Sequence, residues 1–546
     1  MPDHSPIAAL ANGVRSLTGW RWRLAAVGAG ALSALAMAPF FLWPVLWLTL
    51  PVLVWLIDGA AARHVGKRPV RCFAAAAETG WWWGFGYFLA GLYWIGEAFL
   101  VEAEVFAAIM PLAVVMMPAG LALFYAAAAG LAATAWHIGA SRVIALALAL
   151  SATEWLRGHI LTGFPWNALG YALTYPIELM QSAAAVGIYS LTLAAVLIFA
   201  LPAVLWTEDT DRRRGRLAAV AVALLPLMVA GTLGWVRIAY AASNRVPDVK
   251  IRIVQAGIPQ QERMRPELWA GHFQDHLDLS GRDPAGKADH LAGVTLLVWP
   301  ETAMPFAAMD SPQALSAIGD LLPKGTTLIS GAIRVERGGG ADGKAPRRFF
   351  NSLLALTGSG FLVAFYDKID LVPFGEFLPL RPLLAALGLT EIAARGGYSA
   401  GARPRPLLAI PGLPAVVPLI CYEAIFPGAV VQGLLADQKR PGLIVNITND
   451  GWFGNTTGPR QHLHQARVRA VEEGLPLLRA ANNGVSAAFD AYGQPMGHLD
   501  LSARGTLDVP LAAALPPPPY ARFGEIFFLA GWLAGAALLC RAMLRQ

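Results

Sequence analysis

Val416-Val417-Pro418-Leu419-Ile420-Cys421-Tyr422-Glu423 is a run of five apolar residues that stops on a cysteine, with a carboxylate two places on. A short apolar block of this kind reads as a buried strand. A lone cysteine is ordinarily a small buried hydrophobe. Two other runs, however, end in the same manner: Thr295-Leu296-Leu297-Val298-Trp299 leads into Pro300-Glu301, and Val363-Ala364-Phe365-Tyr366-Asp367 leads into Lys368. Open α/β sheets build sites at strand exits, so strands delivering a thiol, a carboxylate and an amine predict one reactive centre. A thiol of pKa about 8.5 is mostly protonated at neutral pH and needs a base and nearby positive charge to act as a nucleophile. Glu301 is the candidate base. Lys368 is the candidate for favouring the thiolate and then stabilising the oxyanion formed when sulfur attacks a carbonyl.

Around these runs, residues 248–513 read as one soluble α/β domain. Strands are expected at Lys250 to Ala256, Thr295 to Trp299, Thr327 to Val335, Ser352 to Thr357, Leu362 to Tyr366, Val416 to Cys421, Leu443 to Ile447 and Val485 to Asp490, with a helix over Gln461 to Glu473 and a loop tip at Gly338-Gly339-Gly340. Apolar stretches flank the domain, near 22–40, 42–57, 80–96, 105–135, 143–155, 183–205, 217–237 and 525–540. They predict a membrane helical bundle of about eight spans, each near the ~20 residues that cross a bilayer. Glu154 and Arg157 close the fifth stretch, and Gly163-Phe164-Pro165-Trp166 cannot continue a regular span, so 158–182 reads as re-entrant or interfacial. The domains expected are 1–247 with seven spans, 248–513 carrying the chemistry, and 514–546 with the last span.

Composition agrees. Of 546 residues 56% are hydrophobic and 14% charged, against roughly 25% charged in soluble domains. A net charge of +6 fits either a nucleic-acid partner or basic loops facing anionic lipid. Residues 248–510 hold 24 basic and 24 acidic side chains, so the whole excess lies outside them and no nucleic acid is expected. The surplus follows topology. With a cytoplasmic N terminus the inner loops carry Arg15, Arg21, Arg23, Arg63, Lys67, Arg68, Arg71, Arg142, Arg212, Arg213, Arg214, Arg216, Arg541 and Arg545, and the outer face only Arg157, Arg237, Arg245 and Arg522. Both termini are then cytoplasmic and the polar domain lies on the opposite side. Ala34 to Ala38 has the small residues of a signal-peptide cleavage site, but Phe40 to Ile57 continues as a second apolar run, as in an uncleaved anchor. Cys421 is the one cysteine of the polar segment, which excludes a disulfide framework there.

Other chemistries fit less well. Gly397-Tyr398-Ser399-Ala400-Gly401 matches a lipase G-x-S-x-G elbow, yet Ala402-Arg403-Pro404-Arg405-Pro406 forbids the helix that must follow. His462 and His464 stand two apart on an expected helix, without H-E-x-x-H, so no metal is expected. No phosphate-cradling glycine motif supports nucleotide chemistry. Transport has no evident charged pathway through the spans.

Trp299-Pro300-Glu301, Tyr366-Asp367-Lys368 with Leu371-Val372-Pro373-Phe374-Gly375-Glu376, and Ile420-Cys421-Tyr422-Glu423 resemble the Glu-Lys-Cys site of the nitrilase superfamily. Asn449-Asp450-Gly451-Trp452-Phe453-Gly454, Arg479 to Val485, Gly84-Phe85-Gly86 running on to Trp94, and Glu154-Trp155-Leu156-Arg157 with Gly163 to Trp166 narrow the resemblance to the bacterial apolipoprotein N-acyltransferase family. The resemblance implies a nitrilase-like αββα sandwich inserted between the seventh and eighth spans. It implies Glu301 as base, Lys368 as transition-state stabiliser and Cys421 as nucleophile, with Glu376 and Glu423 as supporting carboxylates and Tyr422 and Trp452 among the pocket walls. The reaction implied passes an acyl chain from a phospholipid such as phosphatidylethanolamine, through a Cys421 thioester, to the N-terminal amine of a diacylglyceryl apolipoprotein. It needs no cofactor and runs at the periplasmic side of the bacterial inner membrane. Gly163 to Trp166 and the loop from about Leu378 to Tyr398 are apolar enough for a lipid entrance. The alternative is a membrane-tethered nitrilase-type amidase that resolves its thioester with water.

Overall fold

A computed structural model describes residues 6–64, 68–137, 139–205, 214–241, 244–337, 347–379, 386, 397–431 and 440–545, with the backbone alone for 205, 214–220 and 222. The Gly338 to Gly340 loop tip and most of the expected Leu378 to Tyr398 entrance lie outside the described residues. The chain divides into two compact units, Met1–Ala241 with Pro517–Gln546, and Ala242–Pro516.

The strands described in Ala242–Pro516 are β1 (Arg245–Gln255), β2 (Leu296–Val298), β3 (Met304–Ala307), β4 (Thr327–Glu336), β5 (Arg348–Thr357), β6 (Leu362–Asp367), β7 (Val416–Ile420), β8 (Leu443–Thr448), β9 (Leu477–Ala481), β10 (Ser486–Phe489), β11 (Pro495–Leu499) and β12 (Gly505–Ala512). One sheet runs β12-β1-β2-β4-β5-β6 with β3 beside β4; the other runs β11-β10-β9-β8-β7. The centres of both are parallel, β1 with β2 and β4, and β7 with β8 and β9. Such strands are buried on both faces, which is why β7 reads as an unbroken apolar run.

Alternation along each strand then sorts the side chains into layers. Ile251, Ile253, Val298, Ile329 and Leu353 of the first sheet meet Val416, Ile420, Val445, Ile447 and Ala480 of the second in one core. The outer face of the first sheet packs on Phe273, Ala314 and Ile318, from helices Trp269–Ser280 and Pro312–Leu321. The outer face of the second packs on Ala466 and Ala470 of helix Gly458–Glu473. The result is the nitrilase-like αββα layering expected.

Four strands were not legible as such: β3, β9, β11 and β12. β9 carries Arg479, and β12 carries Asp508 and Pro510. The structure resolves the charge of β12 by pairing. Arg252 on β1 is fully buried and donates to both oxygens of Asp289 and of Asp508 at 2.7 Å, and β12 lies antiparallel to β1 with Arg252 opposite Asp508.

In the other unit four helical stretches are, among the described residues, long and apolar enough to cross a bilayer: Trp43–Ala62, Ala103–Ala133, Ser182–Val204 and Ile526–Leu544. The other expected stretches are also helical, at Gly19–Ser33, Pro69–Leu92, Ser141–His159 and Arg214–Ala239, and within the last of these Ala223–Ala239 is a shorter apolar helix among the described residues. The first is 15 residues long, the second carries Arg71 and Glu78 with a glycine- and tryptophan-rich second half, and the third carries Arg142, Glu154 and Arg157. Small residues let these helices meet backbone to backbone: a side chain on Gly30 would strike the Trp83 carbonyl, and one on Gly86 the Val27 carbonyl.

Glu154 and Arg157 do not end their helix; Ser141–His159 runs through both. Arg157 donates to Glu154 at 2.6 and 3.2 Å, to the Trp166 carbonyl at 3.0 Å and to the Phe164 carbonyl. Irregular buried backbone needs protein groups to satisfy it, and here one guanidinium does so. Trp166 is buried with its ring 4.8 Å from Trp94, and Tyr87 donates to the Asn167 carbonyl at 2.7 Å. Gly163 to Trp166 is therefore packed interior, not the surface entrance its apolarity suggested. Glu154→Ala should cost about 3–5 kcal/mol, the toll of stranding a buried charge. Arg23→Ala, which breaks the half-exposed pair with Glu78 at 2.9 Å, should cost under about 1 kcal/mol. Thermal unfolding in detergent checks this; equal shifts in the two variants would contradict it.

Candidate active site

Glu301 follows β2, Lys368 follows β6 and Cys421 follows β7, so the three expected residues leave strands of two different sheets. Each exit is pinned. Gly331 on β4 lies against the Glu301 turn, where an added Cβ would stand 2.6 Å from the Glu301 Cα. Arg263 donates to the Glu301 carbonyl at 2.7 Å and also to Thr302. Before Lys368, Asp367 accepts from Arg334 at 2.7 and 2.9 Å and from Ser352 at 2.5 Å, and the Lys368 N–H donates to the Asn351 carbonyl at 2.9 Å. Cys421 has φ +51°, a left-handed conformation that costs a non-glycine residue energy and marks a tight turn.

The side chains form a buried ionic cluster. The Lys368 ammonium, 1% exposed, stands 2.8 Å from Glu376 and 3.6 Å from Glu301. Asn351 on β5 donates through one nitrogen to both carboxylates, at 2.7 Å to Glu301 and 2.8 Å to Glu376. Glu376 also accepts from the Val372 N–H at 2.8 Å. Burial opposes the charge on Lys368, yet Glu376 and then Glu301 outweigh it and raise its pKa above the ordinary lysine range. Burial raises Glu301, which Lys368 counters and Glu376 reinforces. Burial and then Glu301 push the Cys421 thiol well up, with Lys368 pulling the other way. The resting centre is thus a neutral thiol beside a carboxylate paired with the Lys368 ammonium.

The other expected residues fall into different roles. Glu423 accepts from the Tyr366 hydroxyl at 2.5 Å and from the N–H groups of Ile420 (2.7 Å), Ile369 (2.9 Å) and Asp370 (3.2 Å), with Arg405 at 3.5 Å. It ties the exit of β6 to the exit of β7. Tyr422 is buried edge-on to Phe426 at 5.1 Å, and Trp452 is 36% exposed. Gly397 to Gly401 is an extended loop, with Tyr398 N–H bonded to the Glu376 carbonyl at 2.9 Å and Gly401 N–H to the Lys368 carbonyl at 2.8 Å. Burial and then Glu376 push the Tyr398 phenol up to about 12.

Beneath Cys421 lies a network that the sequence did not reveal. His462 bridges Asp450 (Nδ1, 2.8 Å) and the Cys421 carbonyl (Nε2, 3.1 Å), and Arg479 donates to Asp450 at 2.7 Å and to Asn446. Burial opposes the Asp450 charge, but Arg479 and His462 hold it below the ordinary carboxylate range. Cys421, Asp450 and His462 bring possible ligand atoms within 4.8 Å of one another. Asp450 and His462 are already committed to these hydrogen bonds, which anchor the strained cysteine turn. His464 is buried, and burial brings it down to about 3.

Residues 250–515 match the family described as carbon-nitrogen hydrolase, and 29–201 the apolipoprotein N-acyltransferase N-terminal domain. Fold and site together define a nitrilase-type catalytic domain carried by a membrane protein. A relative from Rhodopseudomonas palustris is 47% identical over 96% of both chains, and one from Bradyrhizobium diazoefficiens 47% identical over 93% of this chain and 92% of its own. One from Brucella suis is 44% identical over 94% and 93%. All three are named apolipoprotein N-acyltransferase, and the chain belongs to the apolipoprotein N-acyltransferase family. An amidase from Nesterenkonia sp. aligns with 54% of this chain and 98% of its own at 20% identity, with a TM-score of 0.35.

With its thiol raised by burial, Cys421 should show no thiolate near pH 8.5, where about half of an ordinary cysteine is ionised. The ultraviolet difference between wild type and Cys421→Ala reads this directly. A thiolate band already present at neutral pH would contradict the neutral resting centre.

Proposed function

We propose that this chain is an apolipoprotein N-acyltransferase that moves an acyl chain from a phospholipid, phosphatidylethanolamine being the natural donor, to the α-amine of an N-terminal diacylglyceryl cysteine. Family membership supports acyl transfer to lipoproteins, and the Lys368-Glu301-Glu376 cluster at the exits beside Cys421 is the observation that carries the mechanism. In the first half reaction Glu301 takes the Cys421 proton as sulfur attacks the ester carbonyl. Lys368 stabilises the oxyanion, and collapse expels the lysophospholipid oxygen, which Glu301 reprotonates. The acyl chain is left as a thioester. In the second, the amine attacks that thioester, Glu301 accepts its proton and the thiol is restored. Ping-pong kinetics follow, since one nucleophile serves both halves.

A neutral thiol suits this sequence. Sulfur is deprotonated only as it attacks, so no free thiolate waits in a buried site. Glu376 supports Lys368, Glu423 holds the two strand exits together, and Tyr422 and Trp452 contribute pocket walls. The reading includes eight spans, the four long apolar helices with those at Gly19–Ser33, Pro69–Leu92, Ser141–His159 and Arg214–Ala239. The distribution of Lys and Arg supports cytoplasmic termini and a periplasmic catalytic domain on the bacterial inner membrane.

Transfer assays in detergent, with phosphatidylethanolamine and a diacylglyceryl peptide, test the reading. Cys421→Ala should abolish transfer, and Lys368→Ala should lower it by at least about 100-fold, the scale of losing oxyanion stabilisation. Wild-type rates in Cys421→Ala would refute the mechanism, whereas release of free fatty acid without peptide acylation would indicate hydrolysis by water.

A further inference from the structure

The cluster holds two carboxylates and one ammonium, and no full second cation closes on Glu301 and Glu376 at hydrogen-bond distance among the described residues. What joins them is an amide. Asn351 is 3% exposed and spends both hydrogens of one nitrogen on the pair, at 2.7 and 2.8 Å. Its Oδ1 is buried and has no hydrogen-bond partner among the described residues. An orientation chosen for stability would satisfy both ends of the amide. This one is fixed by the carboxylates, because turning the amide over would set its oxygen against two negative groups.

We propose that Asn351 is a positioning residue of the acyl transfer, a neutral clamp that bridges Glu301 to Glu376 and so holds Glu301 ionised and aimed beside Lys368 and Cys421 without neutralising it. The proposal rests on the reading of Glu301 as the base. A cation in that place would pair with Glu301 and blunt its basicity; an apolar residue would leave two buried carboxylates facing each other with one lysine to share. An amide avoids both. The charged and titratable groups that act on Glu301 are Lys368 and Arg263, which favour its ionised form, and Glu376, which opposes it; Cys421 and Tyr398 complete its surroundings. The hydrogen bond from Asn351 acts in the same sense as Lys368. Removing it must move the Glu301 titration upward, and the acid limb of a kcat/KM profile reports that titration in the free enzyme.

The test is the pH dependence of single-turnover thioester formation on Cys421 with phosphatidylethanolamine, for full-length wild type, Asn351→Ala and Asn351→Asp. Asn351→Ala should slow acylation by about 100-fold, the lower range for impaired general-base catalysis, and shift the acid limb to higher pH. Asn351→Asp preserves shape if the alanine variant fails to fold, and exchanges the donor for a further carboxyl; its limb should move in the same direction. A rate loss with the acid limb unmoved in a folded variant would mean a merely structural role and overturn the proposal, as would wild-type behaviour in both variants. If wild type itself forms no thioester, the reading of the reaction fails, and the clamp with it.

Discussion

A lysine ammonium taken out of water must be paired, because the effective penalty is several kcal/mol per ion. Lys368 meets that demand with Glu376 at 2.8 Å and Glu301 at 3.6 Å, and much of the domain is arranged around the result. β2 and β6 belong to one sheet and β7 to the other, so a packed sandwich is what brings a carboxylate, an ammonium and a thiol to one place. The exits are then locked by their surroundings: Gly331 under Glu301, Asp367 with Arg334 before Lys368, Glu423 across the two sheets, and His462 on the carbonyl of the strained Cys421 turn. Packing is what makes the buried charge possible.

The same rule governs the membrane unit. Arg157 is buried, paired with Glu154 and bonded to two carbonyls of an irregular segment. Its cost is offset by letting non-helical backbone sit inside the protein. Both units thus place a buried, ion-paired cation where the chain leaves regular structure.

How much of this the sequence disclosed follows from distance along the chain. Glu301, Lys368 and Cys421 were legible because each closes an apolar run, a local pattern. Asn351 was not, since its partners lie 50 and 25 residues away and an asparagine within a strand carries no local mark. The Asp450-His462-Arg479 network was hidden similarly, and β9 and β12 were missed because Arg479 and Asp508 break their apolar pattern until tertiary partners satisfy them. Gly163 to Trp166 misled in the opposite sense: its apolarity suggested a lipid-facing surface, whereas Trp166 packs inside against Trp94. Composition marked eight apolar stretches, of which four are long and apolar enough among the described residues to cross a bilayer.

In the proposed reaction Cys421 would carry the acyl chain between two lipid substrates, with Glu301 moving one proton in each direction. The most direct measurement is the intact mass of the full-length protein after incubation with phospholipid alone. The account predicts a gain of one acyl chain, mapped to Cys421, stable in buffer and discharged when a diacylglyceryl peptide supplies its amine. A protein that stays at its unmodified mass, or an adduct on any residue other than Cys421, would contradict it.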